Sequence, residues 1–199
     1  MASGLILASG SEIRQTWLRN AGVDFTAMPV KVDGSAIRDA MLVDGAHPRD
    51  IADQLAEFKA RKGAQKASDS IVIGCDQVLA IDREILAKPE SISEAKEQLT
   101  RMSGRSHQLL SAAVIYEDGQ PVWRHVGVVK LHMRKIDPGY LEDYLSRNWG
   151  SIQHSVGGYK LEEEGVRLFH RIEGDYFNVL GLPLLELLSY LTLKGIIPG

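Results

Sequence analysis

Near its start the chain changes apolar period within a few residues, and this limits the folds open to it. Leu5-Ile6-Leu7-Ala8 is a continuous short apolar run, the pattern of a buried strand. It breaks into the small-residue loop Ser9-Gly10-Ser11, after which Ile13, Trp17 and Leu18 recur at helical spacing until Gly22 closes the helix. The sequence then returns the other way. Ile51, Leu55 and Phe58 follow Pro48 at helical spacing and predict an amphipathic helix through Lys66. Ile71-Val72-Ile73 is a β-branched strand signal whose expected C-terminal end is Gly74-Cys75-Asp76-Gln77. Strands that alternate with amphipathic helices bury both by layering helices on a sheet, so the expected class is α/β.

The remainder adds a hairpin to this alternation. Ser91 and Glu94 form a capping box for a helix with Ala95, Leu99 and Met102 on its buried face and Gly104 at its end. Leu109–Tyr116 and Val126–Met133 read as paired strands, joined through Glu117-Asp118-Gly119-Gln120-Pro121. Asp137-Pro138 opens a helix that buries Leu141, Tyr144 and Leu145. A strand over Arg167–Ile172 and an apolar helix over Pro183–Lys194, stopped by Gly195, complete the reading. The hairpin makes the sheet mixed. Without a repeat or a linker, residues 1–199 are expected to form a single domain; if it has two lobes, Gln108–Tyr116 lies near their junction.

Composition narrows the function classes. At 199 residues, 44% hydrophobic and 25% charged, the chain can bury a sizeable core. A net charge of −3 gives no global basic field, which argues against extended nucleic-acid binding and against anionic lipid. The most apolar stretch, Leu180–Leu193, is interrupted by Pro183, Glu186, Ser189 and Tyr190, so no membrane span is expected. The first residues lack the basic start and apolar core of a signal peptide. Cys75 is the sole cysteine, so no intrachain disulfide can form. The expected location is the cytoplasm.

Four places can carry chemistry. The Ser9-Gly10-Ser11 loop, with Arg14 behind it, offers backbone N–H groups, two hydroxyls and a guanidinium to a phosphate; the plainer alternative is a turn and helix cap with Arg14 in solvent. Asp76, at an expected strand end, can bind a metal or accept a proton from water, or merely cap a turn. Its neighbour Cys75 reads as packing rather than as a nucleophile. Lys59 borders the apolar face of its helix and Lys88 precedes Pro89; either can lean into a cleft or stay solvated. Gly157-Gly158-Tyr159-Lys160 through Gly165, then Gly174-Asp175-Tyr176-Phe177-Asn178, allow close backbone approaches, while Glu162-Glu163-Glu164 has the look of a solvated charge run. There is no P-loop, no G-x-G-x-x-G and no zinc-type His/Cys spacing.

Taken in order along the chain, these blocks resemble the Maf family, the septum-formation-inhibitor-like nucleotide pyrophosphatases. The matching segments are Leu5–Arg14, Ala56–Ala60, Val72–Gln77, Ile85–Pro89, Met102–His107, Gly157–Lys160 and Ile172–Pro183. The resemblance implies an elongated, mixed and curved β-sheet flanked by helices, with two lobes around a central cleft, as in inosine-triphosphatase-like folds. It implies hydrolysis of nucleoside triphosphates to monophosphate and pyrophosphate, assisted by a divalent cation, Mg²⁺ or Mn²⁺. By the same resemblance Asp76 is the general base and metal ligand, Lys59 and Lys88 are the site lysines, and Ser9, Ser11 and Arg14 bind phosphate. Water would attack the α-phosphorus, with pyrophosphate leaving.

The chain departs from the family pattern in two places. S-x-S-P-R-R reads Ser9-Gly10-Ser11-Glu12-Ile13-Arg14, and a D-E pair reads Asp33-Gly34. Ile13, Gln77 and Glu162 stand where the branch acting on thymidine and uridine triphosphates has arginine, threonine and glutamine. Gly74-Cys75-Asp76-Gln77 and Lys160-Leu161-Glu162 resemble instead the branch that accepts 7-methyl-GTP. Other readings left open are a dTTP/UTP-type pyrophosphatase, cleavage at the γ-phosphate and a non-catalytic nucleotide-binding regulator of cell division. The expected partner is a nucleoside triphosphate; a homodimer is allowed by the sequence but not argued by it.

Overall fold

The computed structural model describes residues 4–199. In chain order the elements are β1 (Leu5–Leu7), α1 (Glu12–Asn20), β2 (Thr26–Ala27), α2 (Gly34–Val43), α3 (Pro48–Lys66), β3 (Ile71–Ile81), β4 (Glu84–Leu86) and α4 (Ile92–Met102). They continue with β5 (Ser106–Glu117), β6 (Gln120–Met133), α5 (Pro138–Ile152), β7 (Phe169–Glu173), α6 (Tyr176–Val179) and α7 (Leu184–Leu193), with 3-10 turns at Val156–Gly158 and Glu164–Leu168. The seven strands form one mixed sheet in the order β2-β1-β3-β5-β6-β7, with β4 also on β3. β1 runs parallel to β2 and β3, and the other pairs are antiparallel.

The central strand corrects one expectation. β3 does not end at Asp76 but continues to Ile81. β5 pairs with it from Val72 to Ala80, so Gly74 and Asp76 sit inside an intact ladder rather than at its end. What stops near Asp76 is the other edge. There β1 pairs with Ile71–Ile73 and β4 with Leu79–Ile81, leaving residues 74–78 uncovered by any strand among the described residues. Ala8 N–H donates to the Ile73 carbonyl at 2.8 Å, and the Ser9–Ser11 loop then turns away from the sheet. The cleft is this gap between β1 and β4.

Packing follows the two-residue alternation of β3. Val72, Val78 and Ala80 face α3 in one apolar cluster. On the opposite face, Ile71, Ile73 and Cys75 pack in a cluster with residues of α1 and α7, whereas Leu79 and Ile81 pack with residues of α4 and α5. α3 buries Ile51, Ala52, Leu55, Ala56, Ala60, Gly63 and Ala64. Phe58, expected on this face, falls off it because the small-residue stripe at the helical period lies elsewhere; Arg61 stacks over its ring at 4.6 Å. That stripe lets α3 lie close on the sheet, and Gly74 completes the approach. A Cβ there would collide with the Ala56 carbonyl and the Ala60 amide nitrogen.

The hairpin is longer than expected, with Asp118 and Gly119 alone at its turn, and the β7 strand begins at Phe169 after a 3-10 turn rather than at Arg167. The elements α2, α6, β2 and β4 have no counterpart in the sequence reading. No helix among the described residues is long and apolar enough to cross a membrane.

Candidate active site

The gap opens into a cleft of about 870 Å³, and every one of the nine candidate residues lines it: Ser9, Ser11, Ile13, Arg14, Lys59, Asp76, Gln77, Lys88 and Glu162. A second cavity of about 460 Å³, near the start of α3, contains none of them.

The Ser9–Ser11 loop is not spent on capping. Ser11 occupies the N-cap of α1, but its side chain makes no cap hydrogen bond. Its hydroxyl and the first N–H groups of α1 are thus left for an acceptor in the cleft. Arg14 is buried rather than solvated. It donates from Nε to the Gly181 carbonyl at 2.7 Å and from Nη1 to Ser9 Oγ at 3.3 Å, and Ser9 Oγ also accepts from Ser11 N–H at 3.2 Å. One network therefore ties loop, guanidinium and the segment after α6.

Asp76 and Lys59 meet because α3 crosses directly over Gly74. Lys59 Nζ forms an ion pair with Asp76 Oδ1 and donates to the Cys75 carbonyl at 3.3 Å. Lys88 enters from the β4 side. Partial loss of hydration, followed by the charges of Arg14 and Lys59, lowers its pKa from 10.5, while Asp76 opposes the shift. Arg14, Lys59 and Lys88 thus gather near Asp76. Cys75, on the opposite face of β3 from Asp76, is fully buried, and burial pushes its thiol up to about 11. It is packing, not a nucleophile.

Gln77 reaches the cleft from the same face as Cys75. Its amide Nε2 donates at 3.0 Å to Ser111 Oγ, to the Asn178 carbonyl and to the Val179 carbonyl. Part of the acidic run also lines the cleft, and its members have separated. Glu164 accepts from Tyr140, Arg147 and Asn148, and the Arg147 hydrogen bond leads the causes that hold its carboxyl down to about 2. Glu163 accepts from Ser151 at 2.8 Å and pairs with Lys160 at 3.4 Å. Glu162 is exposed on the cleft wall and has no hydrogen-bond partner among the described residues.

Asp33 is outside this cleft. It is the N-cap of α2 and accepts from Ala36 N–H at 3.0 Å. The sequence reading missed Leu180, Val156, Ser151 and Lys160 as lining residues. Lys160 falls within a noted glycine-rich block and Leu180 within the Ile172–Pro183 segment of the family resemblance; nothing marks the other two.

A resident metal cage is not built here: no group of three His, Cys, Asp or Glu residues among the described residues could hold an ion. The donors that are present, one carboxylate and two hydroxyls beside an anion site, suit a hard cation that shares its ligands with substrate phosphates and water.

The sequence matches the model of the family described as Maf-like protein over residues 4–193. A curated relative from Ruegeria pomeroyi named nucleoside triphosphate pyrophosphatase is 58% identical over 197 residues, 99% of each chain. One from Mesorhizobium japonicum named 7-methyl-GTP pyrophosphatase is 44% identical over 199 residues, 100% of each chain. A third, from Brucella suis and named likewise, is 42% identical over 199 residues, 100% of each chain. The chain belongs to the family of Maf-like proteins.

Proposed function

We infer that this protein hydrolyses nucleoside triphosphates to the monophosphate and pyrophosphate. The observation that carries the reading is the gathering of Arg14, Lys59, Lys88 and the uncapped Ser11 loop near Asp76, in a cleft whose wall also carries Ile13, Val156, Leu180 and an unpaired Glu162. The cationic group suits a triphosphate, and the rest of the wall leaves room for a base. Relatives named nucleoside triphosphate pyrophosphatase and 7-methyl-GTP pyrophosphatase support the same chemistry.

In this reading Asp76 accepts a proton from the attacking water, with Lys59 holding the carboxylate in place. The water oxygen bonds to the α-phosphorus as the bond to the bridging oxygen breaks, and pyrophosphate departs with that oxygen. Arg14 and Lys88 offset the charge that grows on the phosphate chain. A divalent cation, Mg²⁺ or Mn²⁺, held by Asp76 and the phosphate oxygens, would add further neutralisation when bound.

We assign base recognition to Glu162. A guanine edge presents N1–H and N2–H, and a free carboxylate accepts both. Methylation at N7 makes the base cationic and favours carboxylate over a neutral amide. Ile13 contributes an apolar wall without a competing cation. Glu162 is left free for this role because its two acidic neighbours, not Glu162, are engaged within the fold.

The test is pyrophosphate release from 7-methyl-GTP, GTP, UTP, CTP and dTTP with Mg²⁺ or Mn²⁺. Wild type should release pyrophosphate, and Asp76→Asn should lose about 10²–10⁴ in rate while staying folded. Release of orthophosphate instead, or an Asp76→Asn enzyme above about half of wild-type kcat, contradicts the mechanism; this threshold follows from the usual size of general-base effects. Glu162→Gln should lower kcat/KM for 7-methyl-GTP more than for UTP; an unchanged ranking removes Glu162 from base recognition.

A further inference from the structure

Gln77 stands where base recognition was expected, yet its donors face the protein. The Nε2 group contacts three acceptors at 3.0 Å: Ser111 Oγ and the carbonyls of Asn178 and Val179. Ser111, fully buried on β5 and directly across from Gln77 in the ladder, donates to the same Asn178 carbonyl at 2.5 Å. The Gly181 N–H donates to that carbonyl as well, at 3.2 Å. Three donors thus converge on one oxygen and fix the turn that leads from α6 to Gly181.

The far side of this turn holds the cleft's guanidinium. Gly181 O accepts from Arg14 Nε at 2.7 Å. The contact requires glycine: φ is +95°, and a Cβ would come within 3.0 Å of Arg14 Nη2 and 3.2 Å of Nε. A guanidinium presents its donors in a rigid fork, so fixing Nε and Nη1 sets the direction of the remaining donors.

We propose that Gln77 is a positioning residue that, with Ser111, latches the 178–181 turn and through the Gly181 carbonyl aims Arg14 at the substrate's phosphate chain. It acts on phosphate binding for every base alike, rather than reading the base. The proposal rests on the hydrolase reading for its consequence in turnover, but the latch itself is testable without hydrolysis.

The experiment is calorimetric binding of inorganic tripolyphosphate, which has no base, to wild type, Gln77→Met, Arg14→Ala and the double variant. Thermal melts confirm folding. Gln77→Met should weaken tripolyphosphate by about tenfold, as coupled neighbours commonly do, and should add nothing in the Arg14→Ala background. Ser111→Ala, which removes a buried donor that does not line the cleft, should reproduce a smaller version of the loss. In turnover, the Gln77→Met loss should be equal for 7-methyl-GTP and UTP. Unchanged tripolyphosphate binding in Gln77→Met, or additive losses in the double variant, would overturn the latch. Base-dependent losses would return Gln77 to the base pocket. If wild type binds tripolyphosphate but releases no pyrophosphate from nucleotides, the hydrolase reading fails and the binding cycle still decides the latch.

Discussion

Lys88 shows how much a single charge in the cleft depends on what fills it. Without substrate it faces Arg14 and Lys59 and is partly dehydrated, and both effects disfavour its proton. A triphosphate brings negative charge and reverses them, so its pKa rises on binding. Above the lowered free value and below the bound one, binding takes up a proton, and affinity falls as pH rises. KM for the nucleotide is therefore expected to climb in the alkaline range below 10.5, and Lys88→Gln should show a higher but flatter KM over that range. A KM in wild type that stays level there would remove Lys88 from the phosphate contacts. Residues of this kind were legible as candidates because their types suit phosphate, but their states were not. Arg14 could equally have been a solvated helix residue; burial and the Gly181 contact, made across 167 positions, decide otherwise. The division of Glu162, Glu163 and Glu164 into one free and two anchored carboxylates is likewise invisible in a run of three identical letters.

At the scale of elements, the site exists because α3 lies unusually close to β3. The contact depends on Gly74 as much as on the alanines of the helix, since any side chain there meets helix backbone rather than a movable tip. Gly74→Ala must lift α3, and Lys59 moves with it, away from Asp76. Overpacking of this kind costs about 1–3 kcal/mol, so the variant should melt lower and also lose kcat beyond what its folded fraction explains. An alanine variant with wild-type melting and turnover would show that the helix has slack. The same glycine explains the misplaced strand end. Gly74 and Asp76 are poor strand formers, and local propensity ends the strand there. Pairing with β5 on one edge and packing on both faces override that preference. The long periodic elements, α3, α4, α5, α7 and the hairpin strands, were legible from spacing. Of the pieces that were not, β2, β4 and α6 are short, and β2 and β4 are made by the neighbours they pair with; α2 is as long as α7 but buries no residue fully, so it carries no clear apolar face.

Across the whole molecule, the sheet is continuous while the layer opposite α3 is divided, one cluster holding residues of α1 and α7 and the other residues of α4 and α5. Against the second cluster packs a buried titratable group that does not line the cleft. His107 on β5 is 2% exposed, packs between Tyr159 and Phe169, and has a single partner, Nε2 to Tyr159 OH at 2.7 Å; its Nδ1 is buried without one. Burial, with a smaller contribution from His132, lowers its pKa from 6.5 to about 4. Between these values the unfolded chain binds a proton that the folded chain refuses. Stability is therefore full above pH 6.5 and falls as pH drops toward 4, by about 3 kcal/mol at 1.36 kcal/mol per unit. The paired carboxylates Glu57, Glu142, Glu164 and Glu173 have lowered pKa values and contribute loss only at pH below the ordinary 4.5, so the two effects occupy different windows. Urea denaturation at about pH 7 and about pH 5, which bracket the ordinary histidine value, should show a clear loss for wild type. His107→Gln retains a polar partner for Tyr159 but cannot titrate, and its stability should change much less between the two pH values. If both proteins lose the same amount, the acid sensitivity of the fold has another origin and His107 is already protonated without cost.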